Sequence, residues 1–114
     1  MSINVETLYQ ILRQMAVTQD TITYDQLSDA YLTRAGVRVN RRAWGPSLLE
    51  VSNRLHYSHG LPPISSLVVS STDGMPSSDG YWGIPGAPPY KDHGLWVTVC
   101  KTIYASAWPA TLPP

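Results

Sequence analysis

Charge is scarce in this chain, and so is cysteine. Charged residues make up 14% of the sequence, and eight basic side chains balance eight acidic ones, for a formal net charge of zero. Strong nucleic-acid binders are usually more basic overall, so diffuse attraction to phosphate is excluded as the main source of any such activity. The surface must instead lean on Ser, Thr, Asn, Tyr and Gly. The single cysteine, Cys100, cannot form an internal disulfide, which fits a reducing cytoplasm. No apolar run is long enough to span a bilayer, so no membrane partner is expected. The start, Met1-Ser2-Ile3-Asn4, lacks a basic segment followed by an apolar one, and no signal peptide is expected. At 114 residues the expectation is one domain over residues 1–114, large enough to bury a core without staples.

What charge there is has been gathered. Residues 34–54 hold Arg34, Arg38, Arg41, Arg42 and Arg54 against Glu50 alone, and the patch is all arginine. Arginine favours bidentate contact with phosphate or guanine. Two readings stay open. The patch contacts nucleic acid, or it is a solvated segment whose arginines pair with the acidic N-terminal helices.

The chain taken in order predicts an α+β fold of winged helix-turn-helix type. Val5, Leu8, Leu12, Met15 and Ala16, with Ile11 beside them, give a first helix over residues 5–17. Thr23-Tyr24-Asp25-Gln26 has the form of a capping box and opens a second helix. Leu27, Ala30 and Tyr31 supply its buried face, and Gly36 ends it. Asn40 can cap a third helix. Pro46 leaves two starts for that helix: at Gly45 with the proline in the first turn, or near Asn40 with a kink. The kinked form is preferred, because it places Arg42, Ala43 and Trp44 on one rod.

On the third helix Trp44, Leu48, Val51 and Leu55 form a core stripe. Arg41, Arg42, Asn53, Arg54 and Tyr57 lie on the other side, with Arg38 on the approach; these six are the candidate DNA contacts. Gly60 stops the helix and Pro62-Pro63 prevents its resumption. Ile64 to Val69 reads as a strand turned at Thr72-Asp73-Gly74, so residues 65–83 form a small β-hairpin with residues 70–80 as the wing. Asp92 caps a last helix with Leu95, Val99 and Ile103 as its stripe, flanked by Trp96, Cys100 and Tyr104. Residues 96–104 are also β-branched enough for a strand. Residues 108–114 form a tail, draped over the body or disordered.

Several of these residues carry a family likeness. Thr21-Ile22-Thr23-Tyr24-Asp25-Gln26-Leu27 matches a "V-x-Y-G-x-L/I-A" helix opening, and Arg42-Ala43-Trp44-Gly45 looks like an "R-A-V-G" segment. Leu61-Pro62-Pro63-Ile64 and Val68-Val69-Ser70-Ser71 resemble "P-x-P-I" and "V-V-x-S-x-G" flanks, and Gly80-Tyr81-Trp82-Gly83 stands where a "G-x-Y-x-G" loop falls. Residues 21–83 thus resemble the C-terminal winged-helix domain of alkylguanine-DNA alkyltransferases and alkyltransferase-like proteins. The resemblance implies duplex DNA as partner and gives Arg42 the family's role of replacing a flipped nucleotide in the stack. It does not imply alkyl transfer, since Ser65-Ser66-Leu67 occupies the place of the Pro-Cys-His-Arg core and Cys100 lies outside it. The same spacing resembles a group of small uncharacterised prokaryotic proteins with a "G-L-P-P-L-x-x-L-V-V" segment, which implies no activity.

Catalytic chemistry has little to stand on in this sequence. His56 and His59 lie at i, i+3 near a helix end, but no Asp, Glu or Cys follows at a metal-binding spacing, and a helix C-terminus suits histidine electrostatically. The serines lack a G-x-S-x-G context, and no Gly-rich loop with lysine precedes a helix. No metal and no cofactor are expected. Two functions remain: a non-catalytic DNA-binding protein, or a protein-interaction module of mobile-element or phage type using Tyr81, Trp82, Tyr90 and Trp96 as an apolar contact surface.

Overall fold

Local capping chemistry sets the helix ends in the computed structural model, which describes residues 2–77 and 80–114. Helix α1, Val5–Thr18, starts where the Asn4 side chain accepts from the Thr7 amide, and it stops at Gln19 in the left-handed conformation. Helix α2, Tyr24–Ala35, opens with the full capping box: Thr23 Oγ accepts from the Gln26 amide at 3.1 Å, and Gln26 Oε1 accepts from the Thr23 amide at 3.0 Å. Gly36 closes it at φ 72°, a backbone state that glycine adopts without a steric penalty. Helix α4, His93–Ala105, is capped by Asp92, whose Oδ1 accepts from the Leu95 amide.

Helix α3, Trp44–His59, takes the first of the two starts that Pro46 leaves open. Its first turn contains Pro46, where an amide donor has no intrahelical partner to lose. The preferred start near Asn40 is met in part. Arg41–Ala43 is a 3-10 turn, capped by Asn40 Oδ1 on the Arg42 amide at 2.9 Å, that runs without a break into α3 through right-handed backbone at Ala43 and Trp44.

The expected hairpin over residues 65–83 is also corrected. Ile64–Leu67 is a 3-10 turn, because the Pro63 carbonyl accepts from both the amide and the hydroxyl of Ser66. The strand is only β2, Val68–Val69, and it pairs in parallel with β1, Ile22–Thr23, in the register Ile22 to Val68 and Thr23 to Val69. Among the described residues these two strands are the whole sheet. After β2 the chain reverses at once: the Ser70 amide donates to the Met75 carbonyl, and Asp73 Oδ1 accepts from the Met75 amide. The expected wing is therefore a short turn over residues 70–75; its later part, Ser78 and Asp79, lies outside the described residues.

The core gathers Leu8, Tyr9 and Leu12 of α1, Leu27 of α2, and Trp44, Val51 and Leu55 of α3 around Ile64 and Leu67. Helix α4 adds Trp96, Cys100 and Ile103. Ile103 keeps its expected place in the stripe, but before it the stripe is turned by one residue, from Leu95 and Val99 to Trp96 and Cys100, leaving Leu95 at 47% exposed. The turn lets Trp96 Nε1 donate to the Ser66 carbonyl at 3.0 Å, which satisfies a buried indole. The tail over residues 108–114 is draped along α1. Tyr9 donates its hydroxyl to the Pro109 carbonyl, Gln10 Nε2 to the Ala110 carbonyl, and Glu6 accepts from the Leu112 amide.

Candidate functional site

Parallel pairing of β1 with β2 places the start of α2 beside the turn that follows β2. Trp44 brings the third wall. Its indole is fully buried, donates to Ser28 Oγ at 2.9 Å and meets the Tyr31 ring edge-on at 5.3 Å. The Arg41–Ala43 turn is thereby anchored against α2. Between these walls lies a polar cleft of about 410 Å³, bordered by Thr23, Tyr24, Arg42, Ser70, Thr72 and Ser77 among others. A neighbouring recess of about 530 Å³ runs past Ser28, Arg38, Val39 and Asn40. Asp25, Arg41 and Arg42 border both.

The arginines of this face are not equivalent. Arg38 Nη1 lies 2.7 Å from Asp29 Oδ1, and Arg41 Nη1 lies 3.5 Å from Asp25 Oδ2. Both pairs are exposed, so each adds little to stability. The sequence reading in which arginines pair with acidic helix residues thus describes Arg38 and Arg41. Arg42 is exposed and has no carboxylate at ion-pair distance among the described residues. The net charge of the face is small: three arginines against Asp25 and Asp29.

The other three candidate contacts sit elsewhere. Arg54 pairs with Glu50 at 2.6 Å along α3, Asn53 is half-buried, and Tyr57 is 75% exposed with its ring edge-on to His56. Asn53 is nine residues beyond Trp44, or ~14 Å along the axis at 1.5 Å per residue. None of the three borders either cleft. Thr23, Tyr24 and Asp25 were not among the contacts expected from the sequence, whereas Ser70, Ser71 and Thr72 fall in the expected wing over residues 70–80. The capping box pointed to the first three, but nothing local to the sequence foretold the pairing that brings in Ser70, Ser71 and Thr72.

The four aromatics named as a contact surface divide in two. Tyr81 and Trp96 are core residues, at 1% and 8% exposed, and are withdrawn from that surface. Tyr81 is drawn inward because its hydroxyl meets Ser66 Oγ at 2.6 Å. Burial pushes its phenol well above the ordinary tyrosine range, against the lowering effect of that bond. Trp82 is half-buried and stands edge-on to Tyr90 at 5.8 Å; Tyr90 is 69% exposed.

Where the family likeness would place an alkyl acceptor, the chain has a closed polar cluster. Ser52 Oγ bonds Ser65 Oγ at 2.8 Å and accepts from the Ser65 amide, while Ser66 is bound as above. All three serines are buried. Cys100 is buried as well, and burial pushes its thiol up to about 11, which disfavours the reactive thiolate. Among the described residues no group of three His, Cys, Asp or Glu side chains is placed to hold a metal ion. No helix among them is long and apolar enough to cross a membrane. Compared with protein-family models, curated proteins and solved structures, the chain matches none.

Proposed function

We propose that this chain is a non-catalytic DNA-binding protein of winged-helix-like design, working in the cytoplasm. One observation carries the reading: the start of α3, the start of α2 and the turn after β2 converge on a single polar cleft containing Arg41 and Arg42. Guanidinium forks with neutral hydroxyls around them suit phosphate oxygens, which are met by Arg, Ser and Thr in most nucleic-acid interfaces. In this reading Arg42 meets the backbone first, Arg38 and Arg41 follow, and the turn over residues 70–75 serves as a reduced wing. Asn53, Arg54 and Tyr57 then lie further along α3 as outer contacts. Titration of a short labelled duplex at rising salt tests it, since neutralised phosphates make affinity fall with ionic strength. No binding at the lowest salt refutes it.

Exposed Tyr90 beside Trp82 favours a second reading, a protein partner docking on those two rings. Binding of that kind would depend weakly on salt and be insensitive to Arg42.

A further inference from the structure

The wall shared by the two clefts is itself an ion pair. Asp25 and Arg41 border both recesses, and their side chains are 60% and 58% exposed at a separation of 3.5 Å. Arg42 borders both recesses as well; Ser70 and Thr72 stand on one side only, and Arg38 and Asn40 on the other. Each side therefore offers a guanidinium together with neutral hydrogen-bonding side chains.

Resting on the DNA reading above, we propose that the Asp25 carboxylate holds the place of a phosphate on Arg41. When a strand displaces it, the two recesses join into one groove for two consecutive phosphates. A carboxylate and a phosphate offer arginine the same kind of oxygen pair, so one can substitute for the other on the same fork. An exposed pair at this distance holds weakly and is readily displaced. The charge arithmetic points the same way. Arg38, Arg41 and Arg42 against Asp25 and Asp29 leave one net positive charge, three minus two, and without Asp25 they leave two. Asp25 thus restrains non-specific attachment: only a ligand that supplies phosphates at both recesses recovers what the displaced pair gave up.

The test is duplex affinity over a salt series for the wild type, Asp25→Asn and Asp25→Ser. The serine variant removes the carboxylate without leaving an amide oxygen to hold Arg41. Asp20→Asn makes the same charge change beside Tyr104 of α4 and serves as the control. Both Asp25 variants should bind about 3- to 10-fold tighter at low salt, with a log-log salt slope steeper by about one, while the control moves less than about two-fold. Thermal melts verify that all variants are folded. If the wild type binds and folded Asp25 variants bind no tighter, or the control matches them, the placeholder idea is overturned and the DNA reading stands. If neither the wild type nor the variants bind, the DNA reading falls and takes this inference with it.

Discussion

The indole of Trp44 donates to Ser28 Oγ across 2.9 Å, and both residues are buried. This bond ties the first residue of α3 to the middle of α2, and so fixes Arg41 and Arg42 opposite Asp25. Trp44 and Arg42 are two residues apart, yet one belongs to the core and the other to solvent.

We predict that stability follows that division. Trp44→Phe should leave the Ser28 hydroxyl without its partner, at ~1–3 kcal/mol. Trp44→Ala adds a cavity and should cost ~3–5 kcal/mol. Arg42→Ala should stay within about 0.5 kcal/mol of the wild type, as exposed positions usually do. Urea unfolding measures all three; an Arg42→Ala loss comparable to Trp44→Ala would place Arg42 in the core and contradict the assignment.

The buried hydroxyl cluster should respond asymmetrically. In Tyr81→Phe, Ser66 Oγ still donates to the Pro63 carbonyl, so the loss should be ~1 kcal/mol. Ser66→Ala strands the Tyr81 hydroxyl inside the core and should cost more, ~1–3 kcal/mol. Equal denaturation midpoints for the two variants would show that Tyr81 finds another partner.

Alkaline pH should unfold the chain in steps. Burial raises the Tyr9 phenol from 10.0 to about 12 and the Cys100 thiol from 9.0 to about 11, and raises Tyr81 further still. Below about pH 9 these groups are protonated in both the folded and the unfolded chain, so pH does not act through them. Above it the unfolded chain gives up protons first, and stability falls as pH rises, first through Cys100 and then, from about pH 10, through the tyrosines. Cys100→Ala should move the onset up to about 10. A melting temperature that is flat between pH 9 and 11 in the wild type would contradict the burial of these groups.

Gly86 and Gly74 offer a comparison at one kind of backbone. Both have positive φ, but a Cβ on Gly86 would lie 2.9 Å from Pro63 Cδ, whereas none of the described atoms lies within 4 Å of one on Gly74. The Pro63 ring cannot swing aside as a flexible side chain can. Gly86→Ala should therefore destabilise by ~1–3 kcal/mol, and more than Gly74→Ala. Matched thermal melts check the ordering.

Much of the helical frame was legible because its signals are local. Thr23 with Gln26, Asn40, Asp92, Gly36 and Gly60 all act at the helix ends where their chemistry predicts. The sheet was not legible, because two-residue strands show no alternation and their parallel pairing joins residues 46 positions apart. Ile64 to Val69 looked like a strand for its β-branched residues, but Pro63 and the Ser66 hydroxyl wound its first part into a turn. Tyr81 and Trp96 were assigned to an apolar contact surface; their burial depends on Ser66, 15 and 30 positions away along the chain. The arginine half of the site was visible as a charge cluster. Its hydroxyl half was visible only as a capping box and an expected wing; the β1 to β2 pairing that brings the two together was not legible.

The central claim is that Arg42, held out by a buried Trp44, is a phosphate contact. Duplex affinity measured from low to physiological salt for the wild type and Arg42→Ala tests it most directly. We predict a linear fall of log affinity with log salt for the wild type. Arg42→Ala should weaken binding by roughly 1–3 kcal/mol at low salt, reduce the slope by about one and leave the melting temperature unchanged. Identical affinity and slope for the two proteins, or no binding by the wild type at the lowest salt, would contradict it.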